Sequence, residues 1–284
     1  MTADAFWRGG RGIVPMRLAA CVLSALFIFA AIGSGLDRHS QKSNRWAARV
    51  PHVFAVQALE ILGEARLKAG DGAGAASLAR ELLAKSPVEP TSAALLGAGY
   101  FAMGKADDAD RVFRVAGQMG WRVPYTQIYW MGRALEVGDY AVASERLDAV
   151  LRQQPQLLRE RTVMDPIERD PRGRAAMVER LVNRPNWLTW YAKQADNIPA
   201  DVMLLRAEVL MRVGQRGVRV ACPDIAIAVR QLVAVKAQKA AGDLWQIHCP
   251  NRAVNGLADG NFNKANLEKI LTPFEWDFTG SSSL

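Results

Sequence analysis

Apolar positions along this chain follow three regimes. An unbroken apolar run, LAACVLSALFIFAAIGSGL, covers Leu18 to Leu36, nineteen residues without a charge. From about residue 51 to 156 apolar residues instead recur at intervals of three and four, the spacing of helices with one buried face. Here the pattern is also periodic. FAVQALEILGEARLKAG, ALLGAGYFAMG and IYWMGRALEVG end at Gly70, Gly104 and Gly138, which lie 34 residues apart. The same interval separates Gly63 from Gly97 and relates Ala75, Ala109 and Ala143, while Pro87 and Pro155 stand two periods apart with Trp121 midway. Each glycine closes one helical pattern where a left-handed cap is needed, and a second pattern starts after it. The period therefore predicts three helix-turn-helix pairs, with the small residues letting paired helices approach.

Beyond Pro155 the period fades while helical spacing continues, predicting helices near Arg174–Val182, Trp187–Ala195, Asp201–Val213 and Ile225–Ala240. DPIERDPRGR reads as a proline-broken connection before them. Residues 157–249 are expected to be a helical cap, because the last repeat of a stack must cover its apolar face. From residue 250 the composition becomes polar, which fits either a β element or a loosely held tail.

The spacing resembles that of the tetratricopeptide repeat family over residues 56–155. The family's first-helix small residue matches Gly63 and Gly97, its next aromatic Tyr100, its turn glycine Gly70, Gly104 and Gly138, its second-helix alanine Ala75, Ala109 and Ala143, and its closing proline Pro87 and Pro155. The third repeat departs with Met131 where the small residue belongs, and the second has Trp121 instead of proline. The resemblance implies an all-α fold, an α-solenoid of about three such helix pairs with a helical C-terminal cap, and the apolar run adds one transmembrane helix in front of it. It also implies a concave groove lined by first-helix residues. Carried across, that register selects Gln57, Glu60, Glu64 and Leu67, then Thr91, Ala94, Ala98 and Phe101, then Tyr125, Ile128, Gly132 and Leu135. Such a surface, acidic at one end and apolar at the other, suits a protein or peptide partner with an apolar anchor. Of these residues, Phe101 and Leu135 are the first expected to pack instead.

Asn255, Gly256, Phe262, Phe274 and Trp276 give a looser likeness to bacterial membrane-anchored repeat proteins associated with exopolysaccharide production. That likeness implies an envelope assembly, with an acidic glycan as the alternative partner.

Charge changes the picture in one place. The net +8 is concentrated in residues 1–50, which hold seven Lys/Arg against two Asp/Glu; the rest carries only +3. No basic stripe follows residue 50, so nucleic acid is not an expected partner. The basic residues flank Leu18–Leu36, which is long enough to cross a lipid bilayer; a cleaved signal is the alternative reading. Arg8, Arg11 and Arg17 on one side face Arg38, Lys42, Arg45 and Arg49 on the other, so charge alone does not fix orientation. The simplest topology leaves residues 1–17 in the cytoplasm and connects a single-pass anchor, through a linker over 37–50, to periplasmic repeats at the inner membrane. Cys21 falls within the apolar run. Cys222 and Cys249 form a disulfide only if the compartment oxidises and the chain doubles back, since a continuous helix between them would separate them by more than about 20 Å.

Catalytic and metal chemistry find little to work with. His39, His52 and His248 are scattered, and Gly70-Asp71-Gly72-Ala73-Gly74 follows a helix and lacks the Lys-Ser/Thr ending of a phosphate loop. Asp165, Glu168 and Asp170 gather carboxylates, but Arg169, Arg172 and Arg174 interleave with them, which favours ion pairs in a solvated loop. Trp187, Trp190 and Tyr191 share one helical face and are expected in a core. The chain is thus expected to be a scaffold without cofactor or metal and not an enzyme.

Overall fold

The computed structural model describes residues 13–194 and 198–250. Over them the chain is all-α, with fourteen α-helices, two short 3-10 turns and, among the described residues, no strand. The expected polar tail after Pro250, with Asn255, Gly256, Phe262, Phe274 and Trp276, lies outside the described residues. Two compact units divide at residues 125 and 126.

The first unit begins with α1, Ile13–His39, which contains the whole apolar run. It is long and apolar enough to cross a membrane. Most of its described side chains are exposed, Leu23, Phe27 and Ile32 among them, while Gly33 and Asp37 near its end are buried. A 3-10 turn (Ser40–Lys42) and the short α2 (Asn44–Ala47) follow.

Then come two antiparallel pairs, α3 (Gln57–Lys68) with α4 (Gly72–Lys85), and α5 (Pro90–Ala102) with α6 (Ala106–Gln118). Ala58, Leu59, Ala76, Ala79, Leu82, Leu95 and Leu96 form their shared core. Each leucine buried to this degree contributes about 1.5–3 kcal/mol.

The repeat glycines do what the period predicts. Gly70, Gly104 and Gly138 have φ of 77°, 71° and 73°. At each turn one amide reaches back five residues, Asp71 to Arg66, Lys105 to Tyr100 and Asp139 to Ala134, at 2.9–3.0 Å. Orphan carbonyls at the helix end are thereby satisfied. The carboxylates of Asp71 and Asp139 then cap the second helix, accepting from the amides of Gly74 (2.8 Å) and Val142 (3.0 Å). Lys105 holds the same place and nearly the same backbone angles but offers no acceptor.

The second unit contains the third pair, α7 (Pro124–Glu136, whose first two residues belong to the first unit) and α8 (Tyr140–Gln153). After a 3-10 turn at Pro155–Arg159 come α9 (Arg161–Glu168), α10 (Pro171–Leu181), α11 (Leu188–Lys193), α12 (Ala200–Gln215), α13 (Cys222–Ala234) and α14 (Gln238–His248). One cluster joins the third pair to these helices, through Met131, Leu147, Leu151, Ile167, Leu181, Trp187, Leu210, Ile225 and Trp245.

Four expectations need correction. Residues 37–50 are not an open linker but fold onto the start of α3. DPIERDPRGR is not a loop: it supplies the end of α9 and the start of α10, where Asp170 caps by accepting from the Arg172 amide (2.8 Å) ahead of Pro171. The helix expected over Ile225–Ala240 breaks at Lys236, whose φ is 62°, and α14 runs back along α13. Trp190, expected in the core, is 53% exposed, whereas Trp187 and Tyr191 are buried.

Candidate functional site

Glu60 and Glu64 lie one helical turn apart on α3, half-buried, and Tyr125 at the start of α7 stands in their field. Burial, then the charges of Glu64 and Glu89, pushes the Glu60 carboxyl above its ordinary range. The Tyr125 hydroxyl is pushed up to about 12, by burial first and then by Glu64 and Glu60. In both groups burial is the larger cause and the neighbouring carboxylates add to it. Glu64 has Lys68 at 3.9 Å, while no cation among the described residues pairs with Glu60 or Glu89. Electrostatically this face is unfinished: a cation brought to it would relieve repulsion that the fold leaves in place.

The remaining first-helix residues divide. Thr91 and Ala98 are partly exposed on α5, Thr91 donating to the Glu89 carboxylate at 3.4 Å. Phe101, expected to pack, is instead 62% exposed at the C-terminal end of α5, the end opposite Glu89. Ala94 does not line the face. It is wholly buried, because α5 is packed by α3 and α4 on one side and α6 on the other, which covers every residue from Ser92 to Gly97. Gln57 is engaged by Gln41, whose amide donates to its carbonyl oxygen. Ile128, Gly132 and Leu135 fall in the second unit, where Leu135 packs against the core.

Glu89 was not selected from the sequence, although Glu89-Pro90 announces a helix start, because the family register begins at Thr91.

The carboxylates near Asp165 have a different role. Glu168 is buried between two guanidinium groups, accepting from Arg206 (2.6 Å) and Arg161 (2.7 Å). Arg206 also donates to the carbonyls of Gln194 (3.1 Å) and Leu158 (3.0 Å), and its guanidinium lies 4.9 Å from the Tyr191 ring centroid. Burial, then the Glu168 charge, holds the Tyr191 hydroxyl well above its usual range. Although burial opposes it, hydrogen bonds from Arg161 and Arg169 keep the Asp165 carboxyl low, and Arg172 with Tyr140 does the same for Asp170. Every carboxylate of the cluster is thus engaged by an arginine. This is a structural network rather than a place for a cation.

In the second unit Cys222, at the first turn of α13, and Cys249, just after α14, are joined in a disulfide with Cα atoms 5.9 Å apart. The return of the chain at Lys236 brings them together. Beside the bridge, buried His248 accepts from the Val220 amide at Nδ1 (3.1 Å), so its Nε2–H donates to the Leu210 carbonyl (3.0 Å).

No family model, curated protein or solved structure matches this chain.

Proposed function

We propose that the protein is a membrane-tethered adaptor of tetratricopeptide type, which holds a peptide segment of another protein beside the bilayer in a bacterial envelope assembly for exopolysaccharide synthesis or export. The observation that carries this reading is the acidic face of the first unit. Burial and the charges of Glu64 and Glu89 disfavour the ionised Glu60 carboxyl there, and Phe101 is exposed at the far end of α5. A segment that places a Lys or Arg against the carboxylates and an apolar side chain on Phe101 relieves the repulsion and buries the ring.

The Cys222–Cys249 bridge supports a periplasmic location for the repeats, since structural disulfides persist in oxidising compartments. The length and composition of α1 support a membrane anchor, and the inner membrane is where the proposal puts it. The alternative glycan-binding reading rests on exposed aromatics and basic residues, with the likeness after Pro250 beside them, and it gains no support from the acidic face, which would repel an acidic glycan.

A photo-crosslinking residue at position 101 of the full-length chain, in native membranes, tests the proposal. A crosslinked protein partner is expected from 101, reduced at least several-fold by Tyr125→Ala and absent when the probe sits at 115, on the second helix of the pair. In the same membranes Phe101→Ala combined with Tyr125→Ala leaves glycan retention unchanged. Equal labelling from 101 and 115, or loss of glycan without loss of a protein partner, rejects the adaptor.

A further inference from the structure

The segment after α1 is a built joint. Asp37, 7% exposed, accepts from three successive amides at the start of α3: Val56 (3.2 Å), Gln57 (3.1 Å) and Ala58 (2.9 Å). Val56 itself provides no side-chain cap, so the end of α1 caps α3 across some twenty residues of chain. Ser40, fully buried, donates to the Asp37 carbonyl, and Ala47 of α2 enters the core with Ala55 and Ala58. Phe54 lies against α1 itself: its ring is 5.3 Å from that of Phe29, and a Cβ on Gly33 would overlap it. Gly33 and Phe29 precede Asp37 by about 6 and 12 Å along the helix axis. The loop Pro51–Ala55 therefore descends beside the last apolar turns, with Val53 at its tip 72% exposed.

With Asp37, Ser40 and Ala47 turned inward, the outward face of the joint is basic. Arg38, Lys42, Arg45 and Arg49 are all exposed, and among the described residues none pairs with a carboxylate. Trp46 stands among them, 38% exposed, with the Arg49 guanidinium 5.4 Å from its ring centroid and the His39 ring at 5.2 Å. Cations and an indole gathered at the end of an uncovered apolar helix match the headgroup layer of a bilayer, where phosphate meets the positive charge and the indole sits at the apolar boundary.

We propose that this collar is a seat for anionic phospholipid. Arg38, Lys42, Arg45 and Arg49 hold the headgroup phosphates, and Val53 with Phe54 enters the interface next to α1. Because the Asp37 cap fixes the collar to α3, seating it also sets the height of the first helix pair above the membrane. The inference rests on α1 crossing the bilayer.

Alkaline carbonate extraction of membranes tests that premise separately. Release of the full-length chain removes the anchor and the collar proposal with it. For the retained protein, native mass spectrometry in detergent, with phosphatidylglycerol and phosphatidylcholine added in equal amounts, reads the headgroup preference. Wild type is expected to keep phosphatidylglycerol. The variant carrying Arg38→Gln, Lys42→Gln, Arg45→Gln and Arg49→Gln should lose at least about fivefold in the ratio of the two lipids. Arg8→Gln with Arg11→Gln and Arg17→Gln, on the opposite side of the apolar run, should lose little. A variant with Lys at 38, 45 and 49 should retain the preference, which separates lost charge from lost fold. No preference in wild type, or an equal drop in the Lys variant or in the N-terminal variant, overturns the proposal while leaving the anchor in place.

Discussion

Reducing the Cys222–Cys249 bridge gives the most direct measure of what holds the C-terminal helices. The bridge closes a loop across a sequence separation of 27. Loop-closure entropy for that length predicts that it stabilises the second unit by about 3.5 kcal/mol through the unfolded chain. If α13 and α14 exchange through opening of the whole unit, this amounts to a factor of several hundred in the opening equilibrium. Leu232 on α13 and Leu244 and Trp245 on α14, all fully buried in one apolar core, keep their burial after reduction. These keep the hairpin folded at room temperature, so the expected result is a reduced but native protein. Hydrogen-exchange mass spectrometry on the full-length chain, with and without reductant, should show α13 and α14 losing protection by up to several hundredfold. Helices α3–α6 of the first unit should be unchanged. Titration of three thiols after unfolding in reductant, against one before, confirms the starting state. Protection of α13 and α14 within threefold of the oxidised protein, with reduction complete, would refute the reasoning. It would mean that packing alone restrains the hairpin and that the closed loop adds nothing.

Other predictions follow from single contacts. Lys105→Asp should stabilise the first unit by about 1 kcal/mol, because position 105 already has the backbone angles of Asp71 and Asp139 and lacks only the acceptor; urea unfolding of the full chain checks it. Lys236→Gly should raise the stability of the second unit by about 1 kcal/mol by relieving a left-handed non-glycine residue, read by the same method. Glu168→Gln should destabilise that unit by about 3–5 kcal/mol, since it leaves the buried Arg206 guanidinium without its carboxylate; a smaller loss than for an exposed pair such as Arg216–Glu179 would contradict the account. Burial lowers the His248 pKa from its ordinary 6.5, with the Leu210 hydrogen bond opposing and Arg219 assisting. The unfolded chain therefore binds the proton more readily. Stability is full above pH 6.5 and is lost as pH falls from there through the lower folded value, so the His248→Gln variant should show a flatter profile across that window.

The three repeat pairs were legible because their turns impose a local chemical demand. A left-handed residue is needed where the first helix ends, and glycine at 70, 104 and 138 meets it at a fixed interval. The turn between α13 and α14 has the same hydrogen bonds, the amide of Ala237 reaching Leu232 at 2.8 Å and that of Lys236 reaching Val233 at 2.9 Å. There a lysine tolerates the strained angle, so helical spacing reads straight through it. That single substitution of residue type hid the hairpin and made the disulfide look unreachable. The expected groove face was half legible for a different reason. Periodicity identifies which residues share a helix face but not how much of the face a neighbour covers. Ala94 and Phe101 belong to one expected face, yet packing on both sides of α5 removes the first from solvent and leaves the second at the exposed end.

The joint after α1 was not legible at all, and the cause is instructive about where function can hide in a repeat protein. Arg38, Lys42, Arg45 and Arg49 look like a solvated linker because local pattern reading compares each residue with neighbours three or four positions away. Asp37 instead finds its partners at residues 56–58, and Phe54 finds its own at 29 and 33. Once those long-range contacts form, the choice of residues stops being a composition and becomes a surface: the one acidic side chain of the segment turns inward to cap α3, while its four basic side chains remain outside. An Asp37→Ala variant separates the two roles. Its loss of three amide partners should loosen the start of α3 in hydrogen exchange, yet it removes no cation from the collar. If lipid preference survives while α3 loosens, the charges alone select the lipid and the cap governs only the height of the repeats. If both fall together, the fixed geometry of the collar contributes to the selection.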